Sequence, residues 1–192
     1  MGTRNLTCVV SGGKYIIAQY GQWDGYPSGQ GVTALEFLRK KGNQALLKAA
    51  LNRCYYLTEE QMETASKQSG SENGWMTMEQ AKKFHELLPY VNRDHGAKIL
   101  EMVANSNAPV GLQNSIEFAK DSLFCEYAYI VDFDVNTFEI FKGFNKNPVS
   151  KRERFTGPAD KEYFPIAKIK TYLLDKLPTK TQFLKDLKKE EE

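Results

Sequence analysis

Two short runs of β-forming, largely apolar residues at the start of the chain predict a β-hairpin. Residues 6–10 and 15–20 are two short β-rich runs that flank the Gly12-Gly13 step, an arrangement typical of a tight two-strand turn. The second run is apolar on both of its faces, which is the pattern of a strand covered on both sides. We therefore expect residues 15–20 to form a central strand of the sheet.

The same two-residue period returns after residue 125. Side chains of residues 125–134 alternate strictly between two faces, and Val135-Asn136 turns the chain into residues 138–141. This pattern predicts a second hairpin. Residues 169–173 alternate again and are predicted to form a fifth strand. The first of these strands carries the acidic side chains Glu126, Asp132 and Asp134 on one face. This face is therefore predicted to face solvent. The alternative is a carboxylate pair that holds a divalent cation or exchanges protons.

Helical spacing dominates the middle of the chain. Apolar residues at helical intervals predict helices from residue 32 to about residue 103, and Thr58-Gln61 and Thr77-Gln80 fit capping boxes that open two of them. Asp94 is expected to cap the last helix. The order of elements predicts one α+β domain over residues 1–192, an antiparallel sheet of about five strands with a helical layer inserted between the hairpins. A charged C-terminal tail follows from about residue 181, where a short helix can form, and its end from Lys185 to Glu192 is expected to fray.

Composition narrows the classes of function. The chain has 192 residues, 26 Lys and Arg against 24 Asp and Glu, and a net charge of +2, which is too balanced for a typical nucleic-acid binder. It has no apolar run long enough to span a membrane and no secretory signal. Three widely spaced cysteines fit a reducing cytoplasm without disulfides. Neither His85 nor His95 has metal-ligand spacing, so no metal or cofactor is predicted.

Residues 1–31 are the unusual segment. They hold seven of the fourteen glycines, several aromatic and amide side chains, and only the charges of Arg4, Lys14 and Asp24. Flexible backbone, aromatic faces and amides are what a pocket for a small molecule requires. The alternative is a strand end followed by a loop that packs against the core.

Two groups in this segment are candidates for binding a phosphate. The segment Ser28-Gly29-Gln30-Gly31 leads into the first helix, so its backbone amides could bind an anion. The segment lacks the lysine of a P-loop. The alternative is a turn whose glycines let the helix pack close to the strand. Arg4 could bind a phosphate in two-pronged fashion or pair with Asp24. A nucleophile built from Cys8 or Cys125 with a histidine is the less favoured alternative, because both cysteines lie in apolar strand patterns.

The chain resembles a family of uncharacterised proteins from phages, bacteria and fungi. The similar segments are the start MGTRNLT, the block AQYGQWDGYPSGQG, and residues 93–100 and 124–129. A phage setting implies, by analogy, proteins that capture or destroy nucleotide signals of host immunity. The order of elements also resembles N-terminal-nucleophile hydrolases, but removal of Met1 would leave Gly2 and not the Cys, Ser or Thr that they need.

The leading hypothesis is a cytoplasmic binding protein that sequesters a small, planar, phosphorylated ligand derived from a nucleotide. In this hypothesis Trp23 and Tyr26 stack on a base, Arg4 and the Gly-rich turn hold phosphate, and Gln22 and Asp24 contact polar edges. The candidate ligand-binding residues are Arg4, Tyr20, Gln22, Trp23, Asp24, Tyr26, Ser28, Gly29, Gln30 and Gly31.

Two other classes of function stay open, a hydrolase that uses Asp24 or Cys8 and a protein-interaction module. Asp24 is the only acid in residues 1–31, and a carboxyl with an ordinary pKa of about 3.9 is a poor base near neutrality. A neighbouring Arg4 would lower that pKa further. The sequence therefore favours binding over turnover. Its expected partner is a small molecule and neither nucleic acid nor membrane, and a homo-oligomer stays open.

Overall fold

A five-stranded sheet forms the centre of the protein. The computed structural model describes residues 2–71, 75–160 and 162–188. The strands, in chain order, are β1 (Asn5–Ser11), β2 (Lys14–Gly21), β3 (Cys54–Tyr56), β4 (Val110–Leu112), β5 (Tyr127–Asp132), β6 (Thr137–Lys142) and β7 (Ala167–Leu173). The main sheet has the order β2-β1-β5-β6-β7, and β3 and β4 form a separate parallel pair.

The helices are α1 (Val32–Arg39), α2 (Asn43–Ala50), α3 (Glu59–Gln68), α4 (Met78–Leu87), α5 (Ile99–Ala104) and α6 (Lys180–Lys188). Five of them lie between β2 and β5 in the chain, so the predicted α+β class with a helical layer between two hairpins is confirmed. Neighbouring strands of the main sheet run antiparallel except β1 and β5, which are parallel. Both predicted capping boxes are present, and they open α3 and α4.

The helical face of the sheet carries the larger core. Alternate residues of the strands, among them Val9, Ile17, Tyr129 and Val131, pack against apolar side chains of α1, α2, α5 and α6. Burial of these side chains supplies the main driving force for folding. The face of β5 that was expected to face solvent, because it carries acidic side chains, is covered. The structure therefore corrects that expectation.

That second face is covered by irregular structure. Ala128 and Ile130 are fully buried with Phe155 and Ile166, which come from the long connection between β6 and β7, and with Ala119 from the turn before β5. The connection is rich in Pro, Gly and charge and has no apolar period, so its two inward-facing side chains give no pattern. The prediction failed because a covering loop, unlike a covering helix, leaves no periodic signal.

One of the three predicted acidic residues, Asp132, is therefore buried together with Glu139 of β6, and Arg154 neutralises both. Its Nη2 donates to Asp132 Oδ2 at 2.6 Å and its Nε donates to Glu139 Oε2 at 2.8 Å. Burial alone would lower the pKa of Arg154, but these hydrogen bonds raise it above its ordinary value. The carboxylates thus hold the covering loop to the sheet. Asp134 is exposed, and Glu126 accepts a hydrogen bond from the Arg4 amide at 3.0 Å.

The second predicted strand lies at the edge of the sheet and not in its centre. Its apolar faces are explained by loops that cover this edge. Ser115 N donates to Ala18 O at 3.0 Å, and the Gln19 side chain donates to Asn92 O at 3.1 Å. The pattern showed that β2 is covered, but a hydrophobic pattern does not distinguish a covering strand from a covering loop.

The charged C-terminal segment is helical as far as it is described. The predicted tail begins one residue after the start of α6, and Phe183 and Leu187 on this helix are buried against the core. The expectation of fraying from residue 185 is wrong for residues 185–188, and residues 189–192 lie outside the described part of the chain. Within the described residues, no helix has the length and hydrophobicity that a membrane span requires.

Candidate functional site

The loop after β2 is anchored to the sheet by buried hydrogen bonds. The Tyr129 hydroxyl donates to Gly25 O at 2.7 Å, and Asn5 Nδ2 donates to Trp23 O at 3.2 Å. Gly25 N in turn donates to Thr3 O at 2.9 Å. Each of these hydrogen bonds involves a backbone group of the loop. Together they fix the path of the loop over the end of β1.

The same loop is tied to residues 93–97. Gln22 N donates to Arg93 O at 3.0 Å, and Trp23 Nε1 donates to Asp94 Oδ1 at 2.9 Å. Gln30 joins the two segments, since its Oε1 accepts from Ala97 N at 2.7 Å and its Nε2 donates to Trp23 O. Asp94 is therefore not the predicted helix cap, because its carboxylate accepts the indole N–H and a 3-10 turn precedes α5.

A groove of about 630 Å³ lies between α4 and this second segment, with the end of β2 beside it. Its polar lining comes from four separate stretches of the chain. The polar lining residues are Tyr20, Lys82, His85, Asn92, Arg93, Asp94 and Gln113. A concave site of this size with a few convergent polar groups is typical of small-molecule binding.

The charges of the groove favour an anion. Lys82 and Arg93 both line it, and no carboxylate pairs with either side chain in the described part of the chain. The carboxylate of Asp94 also lines the groove and is engaged by Trp23. Two permanent positive charges thus face one negative charge around the groove, and all three residues are exposed, so the groove has a net positive charge that attracts anions.

Tyr20 connects the groove to Arg4. Its hydroxyl donates to Gln22 Oε1 at 2.5 Å, and its ring lies edge-on to Phe118 at 5.0 Å between centroids. Burial raises the pKa of Tyr20, while the positive charges of Arg4 and Arg93 act to lower it. Both guanidinium groups are therefore close enough to this phenol to influence its charge state.

The Arg4 side chain lies over an aromatic ring. Its Cζ is 4.4 Å from the centroid of Phe124, and its Nε is buried with no hydrogen-bond partner among the described residues. Of the two interpretations of Arg4, the pair with Asp24 is not found, because no ion pair joins these residues in the described part of the chain. A buried guanidinium N–H without an acceptor is an available donor.

The Gly-rich turn before α1 does not offer free amides at its glycines. Residues Pro27–Gly31 form a π-helical turn that continues into α1. Gly29 N donates to Tyr26 O at 3.0 Å, Gln30 N to Asp24 O at 2.8 Å, and Gly31 N to Tyr26 O at 3.4 Å. These bonds explain the close-packed turn, and they give no support to phosphate binding by the same amides. Asp24 itself is exposed and has a left-handed φ of 54°.

The remaining predicted residues line a different depression. Tyr26 and Ser28 face Leu184 and Leu187 of α6 around a mostly apolar pocket of about 410 Å³. The structure thus divides the predicted site. Tyr20 lies in the groove, and Gln22, Trp23 and Arg4 are connected to it by the contacts above, whereas Tyr26 and Ser28 are elsewhere.

Sequence analysis missed Lys82, His85, Asn92, Arg93 and Gln113. On α4, Met78, Ala81, Lys82 and His85 recur at spacings of three and four residues, so one helix face could have been recognised. The residue pattern contains no indication that this face lies opposite Tyr20, because some 60 residues of chain separate them.

The structure supplies no reactive thiol for the hydrolase alternative. Cys8 and Cys125 are fully buried free thiols, and burial raises the pKa of both well above the ordinary value. A buried thiol of this kind is a poor nucleophile. In the described residues, no three His, Cys, Asp or Glu side chains gather as they would around a metal ion.

Comparisons of the chain with protein-family models, with curated proteins and with solved structures give no match.

Proposed function

We propose that this protein binds a small phosphorylated ligand in the groove between α4 and residues 91–94 and holds it intact. The observation that supports this best is that Lys82 and Arg93, neither of which pairs with a carboxylate among the described residues, line the same groove as the Tyr20 phenol. A guanidinium presents parallel donors to phosphate oxygens and an ammonium acts as a point charge. Arg4 does not line the groove, but its positive charge acts on Tyr20 and adds to the attraction for an anion.

A planar group on the ligand would find an aromatic surface next to the charges. The indole of Trp23 is 47% exposed, and its bond to Asp94 fixes its orientation beside the groove. The Asn92 and Gln113 side chains line the groove and supply amide donors and acceptors for polar edges. This combination of aromatic, amide and cationic groups fits a nucleotide-derived ligand better than a simple anion.

The wider setting rests on the sequence. Three free cysteines fit a reducing cytoplasm, and the balanced charge favours a small molecule over nucleic acid as the partner. The resemblance to phage proteins extends the proposal to capture of a nucleotide signal of host defence. A homo-oligomer is compatible with this role but is not needed to complete the groove.

The proposal is tested by isothermal titration calorimetry with ADP, and with adenosine as the uncharged comparison. Lys82→Met and Arg93→Gln should each weaken ADP binding by about 10- to 100-fold, since a lost charged hydrogen bond costs about 1.5–3 kcal/mol. Lys83→Met is the matched control. Lys83 is the next residue of α4, and its ammonium lies 3.6 Å from Glu79 and does not line the groove.

Three results would contradict the proposal. Unchanged ADP affinity in both groove variants would place the binding site elsewhere on the molecule. If ³¹P NMR detects accumulation of AMP and phosphate during incubation with ADP, the protein turns its ligand over, which favours the hydrolase alternative. If adenosine binds as tightly as ADP, the cations of the groove do not contribute to binding through the phosphates.

A further inference from the structure

His85 is the groove residue without an assigned role. It lies on α4 one turn after Lys82 and lines the same groove. Its Nδ1 is buried and has no hydrogen-bond partner among the described residues. A buried imidazole nitrogen without a partner is an unfavourable arrangement unless a ligand or water completes it.

Charged and titratable groups approach His85 from each element around the groove. Residues 93–95 contribute Arg93, Asp94 and His95, while Lys82 comes from the same helix and the Tyr20 phenol comes from β2. His95 Nε2 donates to Pro89 O at 2.7 Å, since a carbonyl can only accept. Burial lowers the pKa of His85, His95 and Arg93 lower it further, and Asp94 acts in the opposite direction. The ring is therefore neutral near pH 7.

We propose that His85 contacts the phosphoryl group of the bound ligand as an imidazolium, so that binding is coupled to the uptake of one proton. This inference rests on the proposed function. The proton comes from solvent and is held on the ring, no covalent bond changes, and the ring then donates to a phosphate oxygen. His85 would thereby become the third cation of the groove, beside Lys82 and Arg93.

The coupling has a defined direction. An anion next to the ring favours its charged form, so the pKa of His85 is higher in the complex than in the free protein. Affinity therefore rises as pH falls through the pKa of the complex, and it levels off below the pKa of the free protein. Each unit between the two pKa values corresponds to a tenfold change in affinity.

Sulfate is a suitable probe because it is a tetrahedral oxyanion whose charge stays constant across the pH range in which histidine titrates. The pKa values of both histidines are measured by NMR in chloride and in sulfate at equal ionic strength. His85 should titrate about one unit higher in sulfate, a tenfold change in its proton affinity. The ring signals of His95, whose ring bonds to Pro89 O and does not line the groove, should differ little between chloride and sulfate.

The variants complete the test. His85→Gln should remove the sulfate-sensitive titration, and His95→Gln should retain it. Sulfate-induced shifts of the Lys82 and Arg93 signals with an unshifted His85 would overturn this inference and leave the proposed function standing. No shift at any groove residue would overturn the anion site itself, and a sulfate-sensitive titration that persists in His85→Gln would assign the proton to another group.

Discussion

The hydroxyl of Tyr129 fixes one of the least regular parts of the molecule. The side chain is fully buried in β5, yet its oxygen donates to the carbonyl of Gly25 in the loop that carries Trp23. The ring packs nearly parallel to Phe138, with 6.5 Å between centroids. One residue thus joins the core of the sheet to the candidate site.

Tyr129→Phe should preserve this packing and remove the bond. The Gly25 carbonyl would lose its buried donor, so the free energy of unfolding should fall by about 1–3 kcal/mol, measured by urea denaturation. Tyr26→Phe is the control, because the Tyr26 side chain is about half exposed. Equal stability of the Tyr129 variant and the wild type would show that the bond contributes nothing.

Asp134 offers a second prediction at the scale of one residue. Its two carboxylate oxygens accept from Gly12 N and Gly13 N, both at 2.8 Å. These bonds lower the pKa of Asp134 below its ordinary 3.8, so their contribution to stability is present above pH 3.8 and is lost as pH falls through the lowered value. Both glycine amide shifts should therefore titrate in NMR with a midpoint below 3.8.

Asp134→Asn should abolish that titration, whereas Asp24→Asn, at an exposed aspartate beyond the opposite end of the β1–β2 hairpin, should leave it unchanged. A midpoint at or above 3.8 would argue against the two hydrogen bonds in solution. Both glycines have a positive φ, 62° and 70°, which is the geometry that this turn requires and that other residues adopt at a cost.

Among the elements, the connection between β6 and β7 depends most on a single ion cluster. Arg154→Met would leave Asp132 and Glu139 buried without a counter-charge. Removal of one partner from a buried ion pair costs about 3–5 kcal/mol, so the unfolding midpoint in denaturant should fall strongly. Arg152→Met is the matched control, because Arg152 is exposed on the same connection.

A further variant separates charge from packing. Asp132→Asn and Glu139→Gln, added to Arg154→Met, should recover part of the lost stability, since no uncompensated charge then remains buried. If the triple variant is no more stable than Arg154→Met alone, the loss reflects packing of the arginine stem against its neighbours.

Sequence patterns predicted those secondary-structure elements well that depend on a single short segment of the chain. All five strands of the main sheet follow from runs of β-forming residues or from the two-residue period, and two helix starts follow from Thr-x-x-Gln capping boxes. The pairings that join distant segments were not predictable in this way. The parallel neighbour of β1 is β5, and nothing in the local pattern of Asn5–Ser11 specifies that partner.

At the scale of the whole molecule, the candidate site shows the same limit. The composition of residues 1–31 pointed to the end of the sheet that lies beside the groove, and Tyr20, Trp23 and Arg4 lie there. The groove also needs α4 and residues 91–94, whose cations look like ordinary surface charges in the sequence. Gln30, predicted to bind ligand, instead joins two loops, because an amide side chain can satisfy backbone groups as readily as a ligand.

The parallel pairing of β1 with β5 also determines when the sheet can be completed. Asn5 lies opposite Tyr127, so a ribosome must release about 120 residues before the first hairpin meets its central neighbour. Until then the hydrogen-bonding edge of a strongly apolar strand is open, and open edges promote association between chains. Such long-range closure also slows folding. The nascent hairpin and the helices that follow it must therefore stay apart from other chains until β5 emerges.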